Sequence, residues 1–173
     1  MSSTNNIIIP EQFHEIAPYR GKDFFEALNR LVNDPGFEHA VRYVMPDVDY
    51  PEFVKSLLQV KDQNEFQTQV MGRFLERLAA STTRGLSIDG EENCEPGCNY
   101  TFMSNHRDIV LDPSFLNLCF IRSGLPVTQV AIGNNLLIYD WIADLVKVNR
   151  SFIVKRDTKV VQALEAAKQL SAY

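Results

Sequence analysis

Residues 127–154 read VTQVAIGNNLLIYDWIADLVKVNRSFIV, and their order decides the fold. Residues 127–132 form a short β-rich run closed by Gly133. Residues 136–148 are apolar and mostly helical in pattern, with Asp140 and Asp144 on one side. Phe152-Ile153-Val154 is a second β-rich run. Strand, helix and strand in succession build a parallel pair, the unit of an α/β sheet.

The same alternation extends in both directions. Downstream, residues 157–172 place Val160, Val161, Leu164, Ala167 and Leu170 on one helical face. Upstream, Asp112-Pro113 opens a helix through Phe115, Leu118 and Phe120 that Gly124 ends. Before it, residues 100–104 read as a strand, and residues 85–88 as the start of another, with a polar loop over 89–99. Residues 22–80 are different. Phe24, Leu28, Leu31 and Val32 make one apolar stripe after Asp23, and Pro35-Gly36 breaks it. Phe37, Ala40, Val41 and Val44 make a second stripe. Pro51 suits the first position of a third helix through Val60, and Asp62 the cap of a fourth. The expected organisation is an N-terminal helical region, residues 1–80, and then a largely parallel α/β domain over residues 81–173. That domain reads as incomplete, because the sequence stops inside a helical pattern with no capping glycine.

Composition narrows the class. The 173 residues are 45% hydrophobic and 23% charged, ordinary values for a folded soluble protein. Three cysteines do not make a secreted disulfide framework. No segment approaches the roughly 20 apolar residues of a membrane span, and Met1 to Asn6 lack the features of a signal peptide. The cytoplasm is the expected location, with the inner face of the membrane as the second. The net charge of −5 divides unevenly: residues 1–99 carry 9 basic and 16 acidic side chains, residues 100–173 carry 8 and 6. An acidic total argues against nucleic acid as a partner, while the basic C-terminal part suits a small anion.

The chemistry is expected in Ser104-Asn105-His106-Arg107-Asp108-Ile109-Val110-Leu111-Asp112-Pro113, between a strand end and a helix start. A neutral imidazole takes up a proton near pH 7, and a carboxylate on its other nitrogen fixes the tautomer and stabilises the imidazolium. His106 is the candidate base. Asp112 is the candidate orienter and Asp108 the alternative; Asp112 before Pro113 is equally well explained as a helix cap. A kinase catalytic loop is excluded, because Pro113 stands where that loop needs a metal-binding asparagine. Cys94 and Cys98 do not suffice for zinc, which needs four ligands, so no metal and no cofactor is expected. Cys119 reads as core, and His14 and His39 as structural or surface residues. Residues 136–142, with Tyr139 and Trp141, could meet acyl chains or a bilayer, but a buried helix is the favoured reading.

Phe102-Met103-Ser104-Asn105-His106-Arg107, with an acid just before a proline, resembles the first motif of the glycerolipid acyltransferases. That family includes the glycerol-3-phosphate and lysophosphatidate acyltransferases. Gly133-Asn134-Asn135-Leu136-Leu137, an apolar helix and then Ser151-Phe152-Ile153-Val154-Lys155-Arg156 resemble its second motif. Together the matches cover about residues 100–157. His106 and Asp112 are separated by five residues where the family has four, and Arg150-Ser151 replaces a glycine usual before the aromatic. The third and fourth motifs are expected beyond Tyr173. The resemblance implies an acyltransferase domain in which His106 deprotonates an acceptor hydroxyl as it attacks an acyl thioester. It also implies acyl-CoA or acyl carrier protein as donor, and glycerol 3-phosphate or a lysophospholipid as acceptor, with peripheral membrane contact. Arg107, Lys155 and Arg156 would then hold the acceptor's phosphate. A thioesterase-like hydrolase using the same pair, and a non-catalytic lipid- or protein-binding module, are the competing functions.

Overall fold

Local caps set the helix boundaries in the N-terminal part of the chain. Asp34 accepts hydrogen bonds from Gly36 N (2.7 Å) and Phe37 N (3.3 Å), with Pro35 in the first turn. Asp49 accepts from Glu52 N at 3.2 Å, with Pro51 placed alike. The structure, a computed structural model, describes residues 9–95, 97–105, 107–156 and 160–173. In chain order its helices and strands are α1 (Gly21–Val32), α2 (Pro35–Val44), α3 (Tyr50–Leu58) and α4 (Gln63–Glu65). A π-helical stretch (Phe66–Met71) leads into α5 (Gly72–Thr82). There follow α6 (Leu111–Arg122), β1 (Val130–Gly133), α7 (Asp140–Val148), β2 (Ser151–Val154) and α8 (Val160–Ala172).

Two compact units result. One joins the described residues up to Gln63 with Gln129–Tyr173; the other is Asn64–Thr128. The helical region and the α/β region are therefore each shared between the units.

In the first unit β1 and β2 pair in parallel, Val130 opposite Ser151 and Gly133 opposite Val154, with α7 between them in sequence. The parallel pairing is as expected, but the sheet has only two strands among the described residues. Its apolar support comes from an unexpected segment. Phe13, Ile16 and Ala17 bury themselves with Ile153, and Ile153 N donates to Ile16 O at 2.8 Å. α1 packs along α7 and buries Phe24, Ala27, Leu28 and Leu31. Trp141 of α7 lies against Phe37, ring centroids 6.3 Å apart. Burial does not extend through the whole of residues 136–142: Leu136, Ile138 and Tyr139 are exposed.

A Cβ on Gly36 would fall 2.6 Å from Trp141 Nε1 and 2.9 Å from its Cδ1. Gly36→Ala is expected to cost about 1–3 kcal/mol, overpacking outweighing the better helix propensity of alanine. Chemical denaturation checks this, and an unchanged midpoint would mean that the indole turns aside without loss.

In the second unit α5 packs on α6 through Leu75, Ala79 and Leu118. Arg122 grips Glu76 with two bonds, Nε at 2.9 Å and Nη2 at 2.6 Å, and donates from Nη1 to Leu86 O at 3.0 Å. Hydrogen bonding to Arg122 holds the Glu76 carboxyl below its usual pKa. α6 ends as expected at Gly124, φ 69°, where Leu125 N donates to Phe120 O and Gly124 N to Ile121 O. Cys119 is buried, and burial pushes its thiol pKa up.

The expected strands at 85–88 and 100–104 do not form; those residues pair with no ladder. Around Tyr100 and Phe102 it is side-chain docking that orders the chain. The Phe102 ring meets Phe120 edge-on at 5.0 Å, and the Tyr100 ring lies 6.0 Å from it. An apolar run with good β propensity has thus found a helix to lie on, and no neighbouring strand. No helix among the described residues is long and apolar enough to cross a membrane.

Candidate functional site

The candidate residues fall in both units. His106 lies outside the described residues. Its neighbours are in the second unit, in the segment that leads into α6. Asp112 sits within the first turn of α6, two residues past the N-cap position, Val110. Its Oδ2 reaches back to accept from Arg107 N at 2.6 Å and Asp108 N at 2.9 Å. Capping belongs to Asp108, whose Oδ1 accepts from Val110 N (2.8 Å) and Leu111 N (2.7 Å). The alternatives left by the sequence thereby separate. One carboxylate begins the helix, and the other folds back over the two residues that follow His106. The fifth intervening residue lies in this turn, whose backbone the two aspartates cross-brace. The side chain of Arg107 is exposed.

Lys155 and Arg156 are in the first unit, just past the C-terminal end of β2, beside the matching end of β1. Arg156 N donates to Asn134 Oδ1 at 2.8 Å, joining the segment after β1 to the segment after β2. Gly133 is required for this approach. A Cβ there would stand 2.9 Å from Arg156 Nε and 2.5 Å from Asn135 Oδ1. The two cations differ. Lys155 Nζ is paired with Glu15 Oε2 at 2.6 Å, whereas the Arg156 guanidinium has no carboxylate partner among the described residues. Sequence reading missed Glu15 and gave Asn134 no role. Glu15 lies 140 residues from Lys155 and carries no local signal.

A cavity of about 310 Å³ opens beside this strand end, between β2 and α8. Ile16, Ile153, Ala163 and Ala167 line it, together with Lys155 and Arg156. Small side chains on α8 leave the room, and the two cations supply the charge. Ligands of open parallel sheets collect at the carboxyl ends of strands. The volume is at the lower limit for a small-molecule pocket. Such a trough suits an anion carried on a small or apolar body.

No protein-family model, curated protein or solved structure matches the chain.

Among the described residues no cluster of histidine, cysteine and acidic side chains could hold a metal ion. Cys94 is half-buried and Cys98 exposed, its Sγ 3.8 Å from Glu95 Oε2. His14 Nε2 bonds Ile9 O at 2.8 Å, a local tie at the surface.

Proposed function

We propose that the chain carries the first two motifs of a glycerolipid-type acyltransferase. It would transfer a fatty acyl group from a thioester of coenzyme A or acyl carrier protein to the hydroxyl of glycerol 3-phosphate or a lysophospholipid. The acceptor oxygen forms the new C–O bond as the C–S bond breaks. His106 takes the hydroxyl proton and returns it to the departing thiolate. Asp112 is the positioning residue, and Arg156 the main ligand of the acceptor's phosphate. Lys155, neutralised in part by Glu15, and Arg107 are auxiliary cations. The reaction belongs in the cytoplasm or at the inner face of the membrane, where exposed Leu136, Ile138 and Tyr139 offer apolar surface to lipid.

The observation that carries this reading is the Asp112 carboxylate. It does not cap its own helix, the bland role available to it, and is bound instead to the backbone beside His106. A carboxylate that orients an imidazole must itself be held near it, and these two backbone bonds hold this one. The experiment is an acyl-transfer assay of the whole gene product with palmitoyl-CoA and glycerol 3-phosphate, scored for acylated glycerol phosphate and for free fatty acid. Acylated product supports transfer; fatty acid alone would mean that water is the acceptor. Arg156→Ala is expected to raise the acceptor KM by about 10–100-fold, the worth of a charge-assisted hydrogen bond, with kcat changed far less. An unchanged acceptor KM removes Arg156 from the site.

A further inference from the structure

Arg20 and Arg150 stand 130 positions apart, yet backbone pairing brings them together in the first unit. Tyr19 N donates to Lys147 O at 3.2 Å and Ile153 N to Ile16 O at 2.8 Å. Residues 16–20 therefore run beside the turn that joins α7 to β2, and Arg150 is in that turn. Tyr173, at the end of α8, closes the same place. Its ring packs on Phe13 (5.6 Å) and Phe152 (5.5 Å), and its hydroxyl donates to Gln129 Oε1 at 2.9 Å.

Neither guanidinium has a carboxylate or a hydrogen-bond acceptor among the described residues, and Arg20 Nε is sealed from solvent without a partner. Arg30, Arg42 and Arg122, by contrast, pair with Asp144, Glu38 and Glu76. Arg150 bears a second cost. At φ 59° it occupies the left-handed region that favours glycine. Burial, and then the nearby charge of Arg20, push its pKa down. Two half-buried like charges and a strained backbone persist where something binds against them.

We propose that Arg20 and Arg150 form a binding site for a phosphate group. A phosphate dianion matches two positive charges and offers enough oxygens for both guanidinium forks, whereas a carboxylate fills one. The site precedes β2, while Lys155 and Arg156 follow it. At about 3.3 Å per residue, the strand separates the two places by roughly 15 Å. This inference does not rest on the acyl-transfer reading.

The test is thermal unfolding of the chain in chloride, acetate or inorganic phosphate at equal ionic strength, and with coenzyme A as a second phosphate source. Phosphate at a hundred times its Kd is expected to raise Tm by about 5 °C or more, and acetate not at all. A rise with coenzyme A at far lower concentration identifies a carrier's phosphate as the occupant; equal potency identifies free phosphate. The Arg20 and Arg150 variants are made in the Arg156→Gln background, which removes the acceptor's phosphate ligand and keeps the rise. Arg20→Gln loses it. Arg150→Gly also loses it and begins from a higher Tm in chloride, since strain and repulsion both go. Absence of a phosphate-specific rise in the wild type overturns the proposal, as does a rise that survives both Arg20→Gln and Arg150→Gly. A rise already lost in Arg156→Gln assigns phosphate to the other strand end and overturns it as well.

Discussion

His106→Ala is expected to lower acyl transfer by about 10²–10⁴-fold, the usual contribution of a positioned general base. That corresponds to roughly 3–5 kcal/mol of barrier. A hydroxyl gives up its proton reluctantly near pH 7, and attack on the thioester stalls unless a base removes that proton as the bond forms. A neutral imidazole is the side chain suited to take up that proton near neutral pH. The wild-type rate should exceed that of His106→Ala by this factor at saturating acceptor, with acceptor KM changed far less. The unfolding midpoint of the variant, measured beside the rate, tells a lost base from a lost fold. Near-wild-type turnover in this variant would remove the proposed base. Asp112→Asn separates positioning from backbone support: the amide oxygen still accepts from Arg107 N and Asp108 N, but the negative charge is gone. A rate loss with unchanged stability marks an electrostatic partner for His106; a loss of stability alone marks a structural brace.

What could be read in advance follows the range of the interactions involved. Asp34-Pro35 and Asp49-Tyr50-Pro51 fix helix starts through bonds spanning two or three residues, and Gly124 ends α6 by its own backbone freedom. All three sites are visible in the sequence. β1 and β2 were legible because the βαβ order constrains them. Residues 100–104 have the same apolar character but dock by their rings on Phe120. Pattern alone does not separate a strand that pairs from an extended segment that lies on a helix. At the candidate site the residue types were legible and their division of labour was not. Asp112 before Pro113 has the signature of a cap, yet Asp108 accepts the first turn's N–H bonds and the helix starts two residues earlier, at Leu111. The pairs Lys155–Glu15 and Arg30–Asp144 join residues more than 100 positions apart, and nothing local announces them.

Asp144→Ala is expected to destabilise the first unit by about 2–4 kcal/mol. Breaking a fully buried pair costs about 3–5 kcal/mol, and the figure is reduced here because Arg30 remains half-exposed and can return to water. Asp144 accepts both prongs of Arg30, at 2.9 Å and 2.7 Å, where α1 crosses α7. It also supplies the leading opposing charge for Lys147, which is buried one turn further on. Lys147 Nζ donates to His14 O (3.1 Å) and Glu15 O (3.2 Å) and lies 4.3 Å from the centre of the Tyr19 ring. Burial already pushes the Lys147 pKa down, and loss of Asp144 should push it further. The sign of the pH effect follows. When a lysine's folded pKa lies below its unfolded value, near 10.4, the unfolded chain binds more protons between the two, and stability rises with pH across that window. The deficit of Asp144→Ala relative to wild type should thus be full at pH 7 and shrink by pH 9.5, in urea melts at both values. Replacing Lys147 by Met in the Asp144→Ala background should recover part of the loss at pH 7, because the charge left without a counter-ion is gone. A deficit that is the same at both pH values, with no recovery in the double variant, would confine the role of Asp144 to Arg30.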